Sequence, residues 1–377
     1  MILNNRIKVG VLTSSRADYG IYKSLLSLFF NDDRVELHLI VFGMHLQKKH
    51  GETIKEIISD NYFDRIHKVY GMPFDDSKFD ISMGYGDLVK CFSDFWDKNT
   101  FEIVFALGDR FEMSAAVQAG LPYELKIAHI HGGELSLGSI DNIYRDQISF
   151  ASKIHFTSTL EASKRLKKIL INKKHVYNVG SLSIDELDLN KLPNWEKVCE
   201  SYNIPNKPFI LITFHPETID SQNNKYFIKE IYQSLSKLSE IVHLVITQAN
   251  ADNYGNIYNE NNLRLKKDHP KNISLVNSFG KENYFSAINN SIFLLGNTSS
   301  GIIEAASFKK FFLNIGNRQN GRVRSNNTFD IPFDKNEILN MSKIILNKPE
   351  YKGVNKYKSN NSAIRIINKT LSFIKKQ

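Results

Sequence analysis

The chain has 377 residues, with 49 Lys and Arg against 40 Asp and Glu, a formal charge of +9, and 42% hydrophobic and 24% charged residues. That balance is typical of a soluble globular protein, and the length suits two domains with a full core each. No apolar run approaches the roughly 18–20 residues that span a bilayer, no signal-like apolar stretch follows Met1, and Cys91 and Cys199 form neither a disulfide framework nor a metal cluster. This argues against membrane, small secreted and disordered classes, and the expected compartment is a reducing cytoplasm.

In chain order, the first apolar run, Ile7–Thr13, reads as a strand. It runs into Ser14-Ser15-Arg16-Ala17-Asp18-Tyr19-Gly20 and then a helical pattern over Tyr22–Phe30. Free N–H groups at a helix start, with Arg16 beside them, suit an anion such as a phosphate. The competing structural reading is an N-cap at Ser15 or Asp18 with Arg16 on the surface. Glu36–Val41 is the next strand, and Ile103–Leu107 a further one, ending in Gly108-Asp109-Arg110-Phe111-Glu112. An Asp just past a buried strand is placed for acid–base work; a helix cap over the pattern Met113–Ala119 is the alternative.

The strand Ile127–His131 ends in His129-Ile130-His131-Gly132-Gly133-Glu134. Alternation puts His129 and His131 on one face of the strand, and Gly-Gly allows close backbone approach to a ligand. His-x-His alone does not complete a metal site, since no further His/Cys cluster joins it. Asp141 and Arg145 follow at i, i+4 on a helix, where a surface ion pair is the structural reading. Ile154–Thr157 is a strand. The stretch Lys164–His175 carries the densest basic cluster on a helix whose apolar stripe is Leu166, Ile169 and Leu170, which reads as a solvated face rather than a nucleic-acid or membrane patch.

Gly180–Lys207, with Pro193 and Pro205, marks a domain boundary, and Pro208 follows it directly. Beyond it, Phe209–Phe214 ends in His215-Pro216-Glu217-Thr218, and the pattern Phe227–Leu238 is helical. Val242–Thr247 ends in Gln248-Ala249-Asn250-Ala251-Asp252, and Ile273–Val276 is a strand. Ile292–Leu295 ends in Gly296-Asn297-Thr298-Ser299-Ser300-Gly301, opening a helix over Ser300–Ala306 that includes Glu304. Hydroxyls and glycines there can cradle a diphosphate, and the lack of a Walker Lys argues against a P-loop NTPase. Phe311–Ile315 leads into a cationic loop, Gly316 to Arg322, and Ala363–Ile374 is a terminal helix. Strands alternating with helices predict an α/β protein of two doubly wound Rossmann-like domains facing a cleft, with ligands beyond the carboxyl ends of the strands. The expected domains are 1–185 and 205–360, with 361–377 a terminal helix packing back on the first.

The motifs S-x-R-A-D-Y-G, G-M-H, G-D-R-F-E, H-I-H-G-G-E, I-D-x-x-x-R, F-H-P-E-T, N-A-D and G-N-T-S-S-G-I-x-E-A occur in this order from about residue 7 to about residue 325. On them the chain resembles the hydrolysing UDP-N-acetylglucosamine 2-epimerases of bacterial sialic-acid synthesis. The resemblance implies a GT-B type fold and a reaction in which UDP is eliminated across C1–C2, water then adding to give N-acetylmannosamine. It assigns acid–base roles to Asp109 and Asp141 and an active-site role to His215. Ser299, Ser300, Gly301 and Glu304 would form the UDP loop, with Arg16 and Arg318 toward the diphosphate. Arg110, Arg145 and Asn250, inside the matched motifs, join the expected binding set. Many relatives have Glu where His131 stands, so His131 or Glu134 would supply that function. Asp146 replaces a common His, and Ile21 a common Lys.

The resemblance implies no cofactor and no metal. It implies a nucleotide-sugar substrate, no nucleic-acid or membrane partner, and a homodimer or homotetramer. The other readings are the same chemistry on a UDP- or GDP-linked 2,4-diacetamido-2,4,6-trideoxyglucose, a GT-B glycosyltransferase needing an acceptor, and a non-catalytic nucleotide-sugar sensor.

Overall fold

Thirteen short strands among the described residues form two all-parallel sheets. The computed structural model describes residues 6–48, 52–72, 77–185, 187–248 and 255–376. The chain divides into two compact units. Unit 1 comprises Met1–Glu134, Asp141–Glu186 and Tyr357–Gln377; unit 2 comprises Leu135–Ile140 and Leu187–Lys356.

In unit 1 the strands are β1 (Ile7–Thr13), β2 (Val35–Val41), β3 (Arg65–Lys68), β4 (Ile103–Leu107), β5 (Ile127–Ile130), β6 (Ile154–Thr157) and β7 (Val176–Asn178). Their order is β3-β2-β1-β4-β5-β6-β7. The central strands are covered on both faces, which is why they read as continuous apolar runs. Ile103 and Phe105 of β4 pack into one core with Leu25, Leu26 and Phe29. Val104 and Ala106 point the other way, to Phe92, Trp96 and Met113. The terminal helix Ser362–Ile374 buries Ile366, Ile367, Leu371 and Phe373 in the first of these cores. Its start is fixed by Asp185, whose carboxylate accepts from the Ser362 and Ala363 N–H groups at 2.6 and 2.8 Å.

Unit 2 holds β8 (Phe209–Thr213), β9 (His243–Thr247), β10 (Ile273–Val276), β11 (Leu294–Gly296), β12 (Phe312–Ile315) and β13 (Thr328–Ile331), in the order β10-β9-β8-β11-β12-β13. Ile210, Ile212, Leu244, Ile246, Leu295 and Leu313 lie in its core. Each sheet reverses its direction of growth once, at β1/β4 in unit 1 and at β8/β11 in unit 2. In open α/β sheets the crevice at that reversal, beyond the strand carboxyl ends, is where ligands bind.

Three strands escape sequence reading: β3, β7 and β13. Each is short and lies at a sheet edge, where one side stays partly open and the apolar signal fades. The helix expected over Ser300–Ala306 is shorter, Ser299–Ile303, and continues as a 3-10 turn over Ala305–Phe308. The basic stretch does form a helix, Leu160–Ile169, with Leu166 buried and Lys164, Lys167 and Lys168 exposed. That helix stops before Leu170 and leaves Ile169 at the surface, so Ile169 is not part of a buried stripe.

Candidate active site

The loop after β1 is organised around Asp18. Its carboxylate accepts from Thr13 Oγ1 at 2.7 Å, from Ser14 N and Oγ at 2.9 Å each, and from Ser15 N at 3.1 Å. His45 Nε2 lies 3.0 Å from Thr13 Oγ1, and His45 Nδ1 lies 2.7 Å from Thr53 Oγ1. Burial pushes the Asp18 carboxyl up, but the His45, Thr13 and Ser14 bonds outweigh it and hold it below the usual range. Asp18 therefore shapes the loop rather than facing a ligand. Arg16 stands 41% exposed, with Glu56 4.0 Å away, on the first residue of the helix Arg16–Phe30.

At the end of β4, Gly108 takes φ +78°, a conformation L side chains rarely adopt. Asp109 is then presented a quarter exposed, and its carboxylate pairs with Arg145. Asp109 does not cap the following helix, whose N-cap residue is Arg110. Arg110 turns to Glu112, 2.9 Å away. Arg145 is buried, and its second arm donates to the Glu134 carbonyl at 2.9 Å. Arg145 does not lie at the surface as expected: it is buried and faces Asp109, and Asp141 begins the helix Asp141–Ala151. Asp146 makes a two-pronged pair with Arg165 at 2.6 and 2.7 Å.

His129 lies in β5 and His131 just beyond it, so strand alternation does not relate the two. The strand ends at Ile130, and His131 takes φ +63°, so alternation stops one residue early. His129 donates from Nε2 to the Gly108 carbonyl at 2.8 Å and accepts at Nδ1 from Ser149 Oγ at 2.9 Å. Both ring nitrogens are committed, and burial holds its pKa down to about 4. His129 is a neutral brace for the turn that carries Asp109, not a metal ligand. His131 accepts at Nε2 from the Leu182 N–H at 3.4 Å. Glu134 is buried, and Ser158 Oγ donates to its carboxylate. The close approach expected of Gly132-Gly133 is to the protein itself. A Cβ on Gly132 would lie 2.7 Å from His129 Nδ1, and one on Gly133 2.6 Å from the Ala162 carbonyl.

In unit 2, Asn297 at the end of β11 clamps the backbone of His215 at the end of β8. Asn297 Oδ1 accepts from His215 N at 2.7 Å, and Asn297 Nδ2 donates to His215 O at 2.8 Å. Gln319 Nε2 donates to the Asn297 carbonyl at 2.8 Å. Glu217 is buried and accepts from the N–H groups of Asn317 and Arg318 at 2.6 and 3.1 Å. Burial raises its pKa despite these two bonds. The ends of β8 and β11 and the Arg318 loop after β12 thus form one network. Ser299 and Ser300 are half-buried, and Ser300 Oγ donates to Glu304 Oε2 at 2.6 Å. Gly301 packs on Phe312, where a Cβ would come within 2.3 Å of the ring. Asn250 lies outside the described residues.

Sequence reasoning passed over Asn297, Glu217, Gln319 and His45 as individual site residues. All four sat inside quoted motifs or loops, and their individual roles show only through partners distant in sequence, such as Thr13 for His45 and Asn297 for Gln319.

The family described as UDP-N-acetylglucosamine 2-epimerase matches residues 29–371. The chain is 33% identical over 333 residues to the polysialic acid biosynthesis protein P7 of Escherichia coli, covering 88% of this chain and 84% of that protein. It is 30% identical over 352 residues to a UDP-N,N'-diacetylbacillosamine 2-epimerase (hydrolyzing) of Legionella pneumophila, covering 93% and 92%. Among solved structures, the UDP-GlcNAc 2-epimerase of Neisseria meningitidis bound to UDP-GlcNAc matches at TM-score 0.80 and 15% identity, over 97% of this chain and 100% of that one. The fold is the two-domain Rossmann-like GT-B type. With the match spanning nearly the whole sequence, the chain belongs to the UDP-N-acetylglucosamine 2-epimerase family.

Proposed function

We propose that the protein is a hydrolysing 2-epimerase that converts UDP-N-acetylglucosamine to N-acetylmannosamine and UDP. The observation that carries this reading is Asp109: a partly open carboxylate at the sheet reversal of unit 1, oriented by buried Arg145 and braced through Gly108 by His129. A base must remove the C2 proton while the C1–O bond to UDP breaks. The electron pair of the C–H bond becomes the C1–C2 double bond, and UDP leaves with the electrons of the C1–O bond. Water then adds its oxygen to C1 of the glucal, and a proton returns to C2 on the opposite face. Asp109 is the principal proton-handling group, with Glu134, Asp141 or His131 serving the hydration step. Ser299, Ser300, Glu304 and Arg318 hold the nucleotide, and His215 serves the reacting sugar or its leaving group. Charge-assisted bonds to the departing diphosphate stabilise charge that develops as the C1–O bond breaks.

The experiment is incubation with UDP-N-acetylglucosamine in D₂O with no acceptor. The expected result is free UDP and N-acetylmannosamine carrying deuterium at C2. A product without deuterium at C2, or UDP release only with an added acceptor, would overturn the reading. A second reading is the same chemistry on a UDP-linked 2,4-diacetamido-2,4,6-trideoxyglucose, supported by the likeness to the Legionella relative. Parallel kcat/KM values for the two donors decide between them.

A further inference from the structure

Two main-chain donors of the cationic loop after β12 are spent inside the protein. Glu217 Oε1 accepts from both the Asn317 and the Arg318 N–H, at 2.6 and 3.1 Å. Successive N–H groups of this kind capture anions, and here the captured group is the chain's own buried carboxyl. The glycine before them admits it: Gly316 takes φ +80°, and a Cβ there would lie 2.3 Å from Glu217 Oε1 and 2.2 Å from the Phe333 ring. Glu217 is itself held in place. Asn224, the first residue of the helix Asn224–Ser239, accepts from the Glu217 N–H at 3.2 Å and donates to the Glu217 carbonyl at 3.1 Å. From the helix Gly255–Asp268, the Tyr258 hydroxyl donates to Asn224 Oδ1 at 2.8 Å. Two residues upstream of Glu217, Asn297 pins the His215 backbone. All these residues lie in unit 2.

Resting on the function proposed above, we propose that Glu217 is a positioning residue for Arg318: it fixes the backbone from which the Arg318 side chain meets the diphosphate, and does not touch the nucleotide itself. Because both N–H groups are taken, the loop meets a phosphate with the Arg318 side chain and not with these main-chain donors. Both bonds end on one oxygen, so the carboxyl acts through its reach and its acceptor rather than through its charge. Burial, which raises its pKa, works in the same direction. A carboxamide of equal length keeps that acceptor. A side chain that lacks it leaves both N–H groups without this partner and releases the loop.

The test is a double-mutant cycle on the full chain, with UDP affinity read by calorimetric titration. Arg318→Ala and Glu217→Ala should each weaken UDP binding by about 10- to 100-fold, the scale of one charge-assisted contact. The double variant should bind UDP within about threefold of Arg318→Ala alone, because the second change removes what the first has already lost. Glu217→Gln should restore the affinity to within about threefold of wild type. If Glu217→Ala does not fold, Glu217→Asp takes its place, keeping the charge on a side chain one carbon too short. Melting temperatures are followed throughout: a purely structural role for Glu217 would lower them and leave the two losses of affinity to add. Additive losses, wild-type affinity in the shortened variant, a Glu217→Gln variant as weak as it, or failure of both shortened variants to fold would overturn the proposal and leave the nucleotide reading standing. Wild-type protein that binds no UDP, or Arg318→Ala that binds it as tightly as wild type, would overturn the nucleotide reading at this loop, and this inference with it.

Discussion

Asp109 and Arg145 make the ion pair on which the proposed chemistry of unit 1 rests, and one is far more buried than the other. Arg145 is 2% exposed, so removing the carboxylate charge takes the Asp109 counter-charge from a buried guanidinium. Asp109→Asn is therefore expected to lower the melting temperature as well as kcat, the latter by about 10²–10⁴ for loss of a positioned acid–base group. UDP affinity should be nearly kept, and calorimetric titration checks this alongside the rate. Wild-type turnover in this variant would remove Asp109 from the mechanism. At the other site, Ser300 already donates to Glu304, so the hydroxyl orients that carboxylate even before a ligand binds. Ser300→Ala should weaken UDP binding by about one to two decades, the scale of one charge-assisted bond. Unchanged affinity in both Ser300→Ala and Glu304→Ala would take the nucleotide off this loop.

The elements are fitted to each other at a few points where no side chain has space. Gly301 sits on the Phe312 ring, at the crossing of the short helix Ser299–Ile303 and β12. Gly301→Ala should cost about 1–3 kcal/mol by overpacking, read as a lower denaturation midpoint with an unchanged slope. The terminal helix Ser362–Ile374 is a second such point. Asp185 caps it from a distant segment of the chain, and its apolar face completes a core of unit 1. Asp185→Ala should cost about 1 kcal/mol, as for other lost N-caps, and should speed amide exchange in the first turn of that helix. Exchange identical to wild type would show that the helix start does not depend on Asp185.

The molecule as a whole buries several neutral histidines, and this sets its response to acid. His129 and His155 are both buried, and burial lowers their pKa values to about 4 and about 3. In the unfolded chain they bind protons below about pH 6.5, whereas in the folded chain they do not. Stability from this source is complete above about pH 6.5 and drains away as pH falls toward 4, by up to roughly 3 kcal/mol per group. Glu217, raised by burial, acts in the opposite sense, because the folded state then holds its proton more tightly. The histidines outnumber it, so the melting temperature is expected to be level from about pH 8 to 7 and to fall between about pH 6.5 and 4.5. A flat profile across that range would contradict the burial argument. Replacing His129 should flatten part of the fall and, by loosening the Gly108 turn, lower kcat.

Central strands, buried on both faces, announce themselves as apolar runs, so the sequence alone determined ten of the strands, the α/β class and the strand-end motifs. It could not determine β3, β7 or β13, because an edge strand is half-exposed and its composition resembles a loop. The site divides along the same line. Asp109, His215 and the Ser299–Ser300 segment are legible because polar residues stand directly after apolar strands. That Arg145 turns inward to Asp109 rather than lying at the surface was decided by tertiary structure, since helical spacing fixes only which residues are neighbours along the helix. The same holds for His131, whose left-handed backbone breaks the alternation that would place it beside His129. The clamp of Asn297 on His215 joins residues 82 apart in the chain, and Glu217 reaches the Arg318 loop across 101. Local periodicity carries no trace of such partnerships, because they arise only when parallel strands distant in sequence lie side by side.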